Sequence, residues 1–214
     1  MIILINPNSS ASMTKAMVDT ASAAVPSARI EGWTSHDGPP AIQGASDGLL
    51  ATPPLLKLVG KASDLGAKAI IIGCFDDTAL GAARAMAHCP VIGIGQAAYH
   101  LAAMCGARFS VVTTLDVSVP ILETNISAYG LAQNLAKVRA SDVPVLALED
   151  GDATAQDRVL REIQTAVKED HIDSVVLGCG GMVTLRAAAA ATTGIKVIDG
   201  VQAAAVNAAL LAHS

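Results

Sequence analysis

Short stretches of the chain are apolar at nearly every position: Ile2–Ile5, Ala69–Ile72, Val91–Ile94, Phe109–Thr113, Ser174–Leu177 and Lys196–Ile198. Unbroken runs of this length, rich in β-branched residues, are expected of strands in a parallel sheet covered by helices on both faces. Two weaker candidates lie at Arg29–Trp33 and Ala136–Arg139. Between the runs the spacing turns helical. Leu55, Leu58, Val59, Ala62 and Leu65 share a face and stop at Gly66, and Val119, Leu122, Ile126 and Tyr129 stop at Gly130. Val159, Leu160, Ile163 and Val167 mark a longer helix with a charged outer face. The alternation predicts an α/β fold of the doubly wound kind.

The pattern occurs twice. Ala69-Ile-Ile-Ile-Gly-Cys74 returns 105 residues later as Ser174-Val-Val-Leu-Gly-Cys179, and Val91-Ile-Gly-Ile-Gly-Gln-Ala-Ala98 returns 106 residues later as Val197-Ile-Asp-Gly-Val-Gln-Ala-Ala204. Leu80 falls opposite Leu185, and Ile5-Asn6 falls opposite Val112-Thr113 at an offset of 107. Registers agreeing within two residues predict two similar lobes, each a mostly parallel sheet flanked by helices, related by a pseudo-two-fold axis. The expected boundaries are 1–95, completed by a C-terminal helix 201–214, and 96–200. Ligands of parallel α/β sheets bind beyond the carboxyl ends of the strands, so the active site belongs in the cleft between the lobes, with Cys74 and Cys179 facing each other.

Each of these cysteines follows a Gly at a strand end and precedes a helical stretch, Thr78 to about His88 in one case and Gly181 to about Thr193 in the other. A thiol at a helix N-terminus is expected to have its pKa lowered toward working pH, where it can act as a general base. One thiolate and one thiol on opposite faces of an acidic carbon suffice for racemisation without a cofactor. Negative charge then develops on the adjacent carbonyl oxygen and needs fixed donors. Gly180 and Gly181 allow close backbone approach, and Asn8, Thr113 and Thr114 offer side-chain groups at other strand ends.

The plainer reading is that a cysteine after a strand is a small buried hydrophobe. The repeat argues against it, because both halves keep Cys while the following residues drift from Phe75-Asp76 to Gly180-Gly181. Cys89 and Cys105 have no counterpart in the other half and read as packing or surface thiols. His36, His88, His100, His171 and His213 are scattered, which disfavours a Cys-His hydrolase. Asp76 and Asp77 either hold substrate N–H groups or cap a helix, and Asn6-Pro7-Asn8-Ser9-Ser10 either lines the site or caps the first helix.

Composition narrows the partners. The chain has 214 residues, 52% of them hydrophobic, enough for a substantial core without disulfide or metal staples. A net charge of −5 and an aromatic content of 2% argue against nucleic acid. The apolar run Met1–Ile5 is too short for a signal-peptide core, and no stretch reaches the length of a membrane span. A soluble, cytoplasmic protein with free thiols is expected. No cysteine spacing suits a zinc site, and no metal is expected.

Asn6-Pro7-Asn8-Ser9, Gly73-Cys74-Phe75-Asp76-Asp77-Thr78, Val111-Val112-Thr113-Thr114 and Leu177-Gly178-Cys179-Gly180-Gly181-Met182 together resemble the aspartate/glutamate/hydantoin racemase superfamily, and within it the hydantoin and allantoin racemases. The resemblance spans essentially the whole chain. It implies a two-lobe α/β fold, cofactor- and metal-independent racemisation of a small molecule, and a homo-oligomer. It makes Cys74 and Cys179 the acid/base pair, with Asn8, Phe75, Asp76, Thr113, Thr114, Gly180 and Gly181 lining the substrate. Glutamate racemases carry Cys-Asn-Thr and Cys-Thr-His segments where this chain has Cys74-Phe75-Asp76 and Cys179-Gly180-Gly181, a departure that argues against an amino-acid substrate. Maleate isomerases and aryl malonate decarboxylases of the same superfamily are alternatives in the same cleft. A non-catalytic binding protein, with cysteines that only pack, is a third.

Overall fold

The computed structural model describes residues 1–149 and 151–212; His213, among the scattered histidines, and Ser214 at the end of the expected final helix lie outside the described residues. The first half runs β1 (Ile2–Asn6), α1 (Ala11–Ala24), β2 (Ile30–Thr34), α2 (Ala45–Asp64), β3 (Ala69–Ile72), α3 (Leu80–Met86), β4 (Val91–Gly93) and α4 (Ile94–Cys105). The second half runs β5 (Phe109–Thr113), α5 (Val119–Ala128), β6 (Leu135–Ala140), α6 (Val145–Glu149), α7 (Ala153–Glu169), β7 (Ser174–Leu177), α8 (Arg186–Thr193), β8 (Lys196–Asp199) and α9 (Gly200–Leu211). A 3₁₀ turn over Gly180–Leu185 separates β7 from α8.

The strands form two four-stranded sheets, ordered β2-β1-β3-β4 and β6-β5-β7-β8, with every neighbouring pair parallel. This is the expected two-lobe α/β class, and each strand order repeats the other. The inner strands β1, β3, β5 and β7 are buried at every residue, which explains their uninterrupted apolar runs. Register aligns the exits. Ile5 pairs with Ile72 and Val112 with Leu177, so the residues that follow leave each sheet at the same level.

Several boundaries differ from expectation. The strand expected at Val91–Ile94 stops at Gly93, because Ile94 already begins α4. The helix expected from Leu55 begins ten residues earlier, at Ala45, and runs through Pro53 and Pro54. Its first turns are exposed, with Leu49 at 75% and Leu50 at 65%, so no packed face announces them, and proline ordinarily marks a helix boundary. The helix expected from Thr78 starts only at Leu80, and the stretch from Gly181 is 3₁₀ before it becomes α-helical at Arg186.

The two halves exchange their last helices. Helix α4 leaves β4 but packs on β7 and β8 of the second sheet, while α9 leaves β8 and packs on β3 and β4 of the first, against α1. The two helices also lie against each other. At their starts the backbones nearly touch: a Cβ on Gly200 would stand 2.5 Å from the Ile94 carbonyl oxygen. Only glycine fits there. Gly200→Ala is expected to destabilise the protein by about 1–3 kcal/mol, the range for forced overpacking; an unchanged midpoint in urea denaturation would contradict this close contact.

Candidate active site

The carboxyl ends of the four inner strands converge on one cavity, about 370 Å³ when the space open to solvent at its mouth is included. Asn8 follows β1, Gly73 to Asp76 follow β3, Thr113 and Thr114 close β5, and Gly178 to Gly180 follow β7. Both Cys74 and Cys179 line it, and both are half-buried. Sequence reasoning missed Met13, Ser118 and Val145, which with Ile42 complete the walls. Their side chains come from helix starts and connecting segments, where no periodicity marks them.

The two cysteines are presented by equivalent backbone. The Gly73 N–H bonds to the Ile5 carbonyl and the Gly178 N–H to the Val112 carbonyl, both at 2.8 Å, carrying each ladder one residue past its strand. A Cβ at Gly178 would stand 2.8 Å from the Val112 backbone oxygen, which explains the glycine before Cys179, whereas one at Gly73 would press on the flexible end of Met17 at 2.9 Å. A tight turn follows in each case. The Asp77 N–H donates to the Cys74 carbonyl at 3.1 Å, and the Met182 N–H to the Cys179 carbonyl at 3.0 Å.

The expectation of thiols activated by helix N-termini is not met. No helix begins near Cys74 until Leu80, and Cys179 starts only a 3₁₀ turn, where its Sγ accepts the Gly181 N–H at 3.4 Å. Burial outweighs that bond. It pushes the Cys179 thiol up to about 11, against the stabilising Gly181 N–H and with a further upward push from the Asp76 charge. Cys74 is driven higher still, by burial and then Asp76, although the Thr78 hydroxyl and the Asp76 N–H favour its thiolate. Cys179 is therefore the first of the pair to ionise.

Asp76 lies close enough to both sulfurs to oppose their ionisation, and burial raises its own carboxyl to about 6. Its Oδ2 is buried with no hydrogen-bond partner among the described residues, and Asp76 is one of the residues lining the cavity. Asp77 has a different place. Its carboxylate accepts the N–H groups of Gly95 and Gln96 at the start of α4 and the Tyr129 hydroxyl, so it is a helix cap.

Of the remaining candidates, Asn8 lines the cavity, but its Oδ1 accepts from Asn6 Nδ2 at 2.7 Å and from the Ser10 N–H, while its Nδ2 faces Met13 sulfur at 3.3 Å. Ser10, not Asn8, caps α1. The Thr113 hydroxyl donates to the Gly178 carbonyl at 2.9 Å, tying β5 to the Cys179 segment. Thr114 lines the cavity beside it. Phe75 borders the cavity while its ring packs edge-on against Tyr99 in the core, 5.4 Å between centroids. Gly180 lines the cavity close to Met17, whereas Gly181 stands behind it with its N–H on the Cys179 sulfur. None of the described histidines lines the cavity, nor does Cys89 or Cys105. Among the described residues no group of three or more His, Cys, Asp or Glu side chains is placed to hold a metal ion, and no helix is long and apolar enough to cross a membrane.

Residues 2–208 match the family described as Asp/Glu/Hydantoin racemase. A hydantoin racemase of Rhizobium meliloti is 44% identical over 204 residues, covering 95% of this chain and 85% of that protein. The solved allantoin racemase from Klebsiella pneumoniae superposes with a TM-score of 0.95 at 40% identity, over 99% of this chain and 87% of that one. That from Pseudomonas fluorescens gives 0.94 at 34% identity, over 99% and 90%. The family match across both lobes, the superposition of the whole fold and the names of these relatives agree on one assignment: the chain belongs to the Asp/Glu/hydantoin racemase family and is a racemase.

Proposed function

We propose that the protein inverts C5 of a 5-substituted hydantoin or of allantoin by proton transfer between Cys74 and Cys179. The observation that carries this reading is the pair of half-buried thiols on equivalent turns of the two lobes, lining one small cavity. The substrate class follows the relatives, named hydantoin racemase and allantoin racemase. It also suits the unused Asp76 acceptor, which pairs with a ring or ureide N–H; an amino-acid carboxylate at the same place would be repelled.

In this reading both thiols rest protonated, and the reactive form arises when Cys179, the more easily ionised of the two, loses its proton. A thiolate takes the C5 proton, the C–H electron pair moves onto the neighbouring carbonyl oxygen as an enolate, and the thiol on the other face returns a proton to C5. The pair has then exchanged protonation states, and the reverse reaction starts from the product state. The Thr114 hydroxyl and the Gly180 backbone are the groups we assign to the developing oxyanion, and Asn8 and Thr113 hold the strand ends that shape the cavity. Both transfers use side chains of this chain, so the reaction calls for no cofactor.

Replacing either cysteine by serine is expected to lower racemisation by about 10²–10⁴-fold. The Cys74→Ser and Cys179→Ser proteins should each still exchange solvent deuterium into one enantiomer, the opposite one in the two cases. Wild-type turnover by Cys74→Ser, followed by circular dichroism of optically pure substrate, would sink the two-base mechanism.

The thiolate must form against burial, so kcat/KM should rise about tenfold per pH unit from neutrality toward the Cys179 pKa of about 11. Removing the Asp76 charge lowers both thiol pKa values, so Asp76→Asn should shift that rise to lower pH while raising KM. Substrates methylated on nitrogen should lose affinity for the wild type more than for Asp76→Asn. A pH profile that does not move in Asp76→Asn would remove Asp76 from the site.

A further inference from the structure

Helices α4 and α9 occupy equivalent places in the repeat, and each is capped by a carboxylate on the same two amides. In α9 the cap is its own preceding residue: Asp199 Oδ1 accepts the N–H groups of Val201 at 2.7 Å and Gln202 at 3.2 Å. The equivalent amides of α4, 106 residues earlier, belong to Gly95 and Gln96, and they donate to Asp77 at 3.0 and 2.7 Å. The residue equivalent to Asp199 is Gly93, which has no side chain to offer. A Cβ on Gly93 would stand 2.0 Å from Asp77 Oδ1, so the Asp77 carboxylate fills the space an aspartate there would use.

The exchange is reciprocal. The position equivalent to Asp77, 105 residues later, is Met182, buried in the second lobe's core. One lobe therefore carries its cap on the helix, and the other carries it on the turn that presents Cys74. Asp77 also accepts the Tyr129 hydroxyl at 2.8 Å, and the preceding Asp76 carbonyl accepts Asn125 Nδ2 at 2.8 Å, one from the residue that ends α5 and the other from within α5, in the opposite lobe. At Cys179 the corresponding helix, α1, meets the turn through Met13 and Met17, which form no such tether.

We propose that Asp77 is a positioning residue for Cys74: by capping α4 from the cysteine turn it fixes that thiol relative to both lobes, a restraint with no equivalent carboxylate cap on the Cys179 turn among the described residues. The catalytic consequence rests on the two-cysteine reading above, whereas the restraint itself does not.

The test moves the cap without removing it. In Asp77→Gly/Gly93→Asp the carboxylate returns to the helix, as in α9. The backbone at Gly93, with φ −86° and ψ 141°, is close to that at Asp199, and glycine suits the left-handed φ of 50° at position 77. The double variant is expected to keep a Tm near the wild type, to alkylate at Cys74 at least about fivefold faster with iodoacetamide at unchanged Cys179 reactivity, and to racemise at least about tenfold more slowly. The rates are read on separate peptides by mass spectrometry.

Recovery of both Tm and racemisation, with unchanged Cys74 reactivity, would reduce Asp77 to an ordinary helix cap and overturn the proposal. If the double variant does not fold, Tyr129→Phe removes the α5 anchor alone and should again raise Cys74 reactivity relative to Cys179; equal reactivity ratios in Tyr129→Phe and wild type would equally overturn it. Selective exposure of Cys74 in a protein whose wild type racemises neither hydantoins nor allantoin would uphold the restraint and defeat the functional reading instead.

Discussion

Everything at the cavity depends on two parallel sheets delivering their carboxyl ends to one place, and that arrangement is enforced by the exchange of α4 and α9 between the lobes. Each helix buries an apolar face that the other lobe's sheet needs, so neither lobe completes its core alone. The contact of Gly200 with the Ile94 carbonyl sets how close the two helix starts come. That closeness brings the turns after β3 and β7 into one small space instead of leaving two separate clefts.

The duplication supplies symmetry of backbone and the substitutions since then supply asymmetry of chemistry. The ladders, the glycines and the turns at Cys74 and Cys179 match bond for bond. What surrounds them does not. Burial raises both thiols and an acidic side chain just after Cys74 adds to it, while glycines follow Cys179 and lend it an N–H. A racemase must treat two mirror-image ligands almost equally, yet it needs one proton on one side at any moment. In the two-cysteine reading proposed above, near-identical frames with unequal acidities would meet both demands.

The strands and the repeat were legible because burial on both faces leaves little freedom in residue choice: Ile70 to Ile72 and Val175 to Leu177 have no solvent face to encode anything else. The cysteines could be found for the same reason, through the register of their strands. The acidity of the thiols was not legible, since desolvation belongs to the assembled cavity and not to the helix that follows. Nor was the segment 35–44, whose Gln43 Oε1 accepts the Val145 N–H at 2.9 Å from over a hundred residues away. Asp77 beside Asp76 reads as a twin in the sequence. Only the fold separates them, sending one to the α4 amides and leaving the other by the sulfurs.

The exchanged helices also limit how a ligand can reach the thiols. Parting the lobes would break the contact between α4 and α9 and pull on the two direct links, β4 to α4 and β8 to α9, that cross between them. Over the cavity, Gln43 holds the Val145 amide and Gly44 lies against Val117, with Ala41 and Ile42 buried beside them. The chain thus crosses twice between the lobes at helix starts that lie against each other, and any widening of the cavity between the lobes has to be taken up at those two crossings.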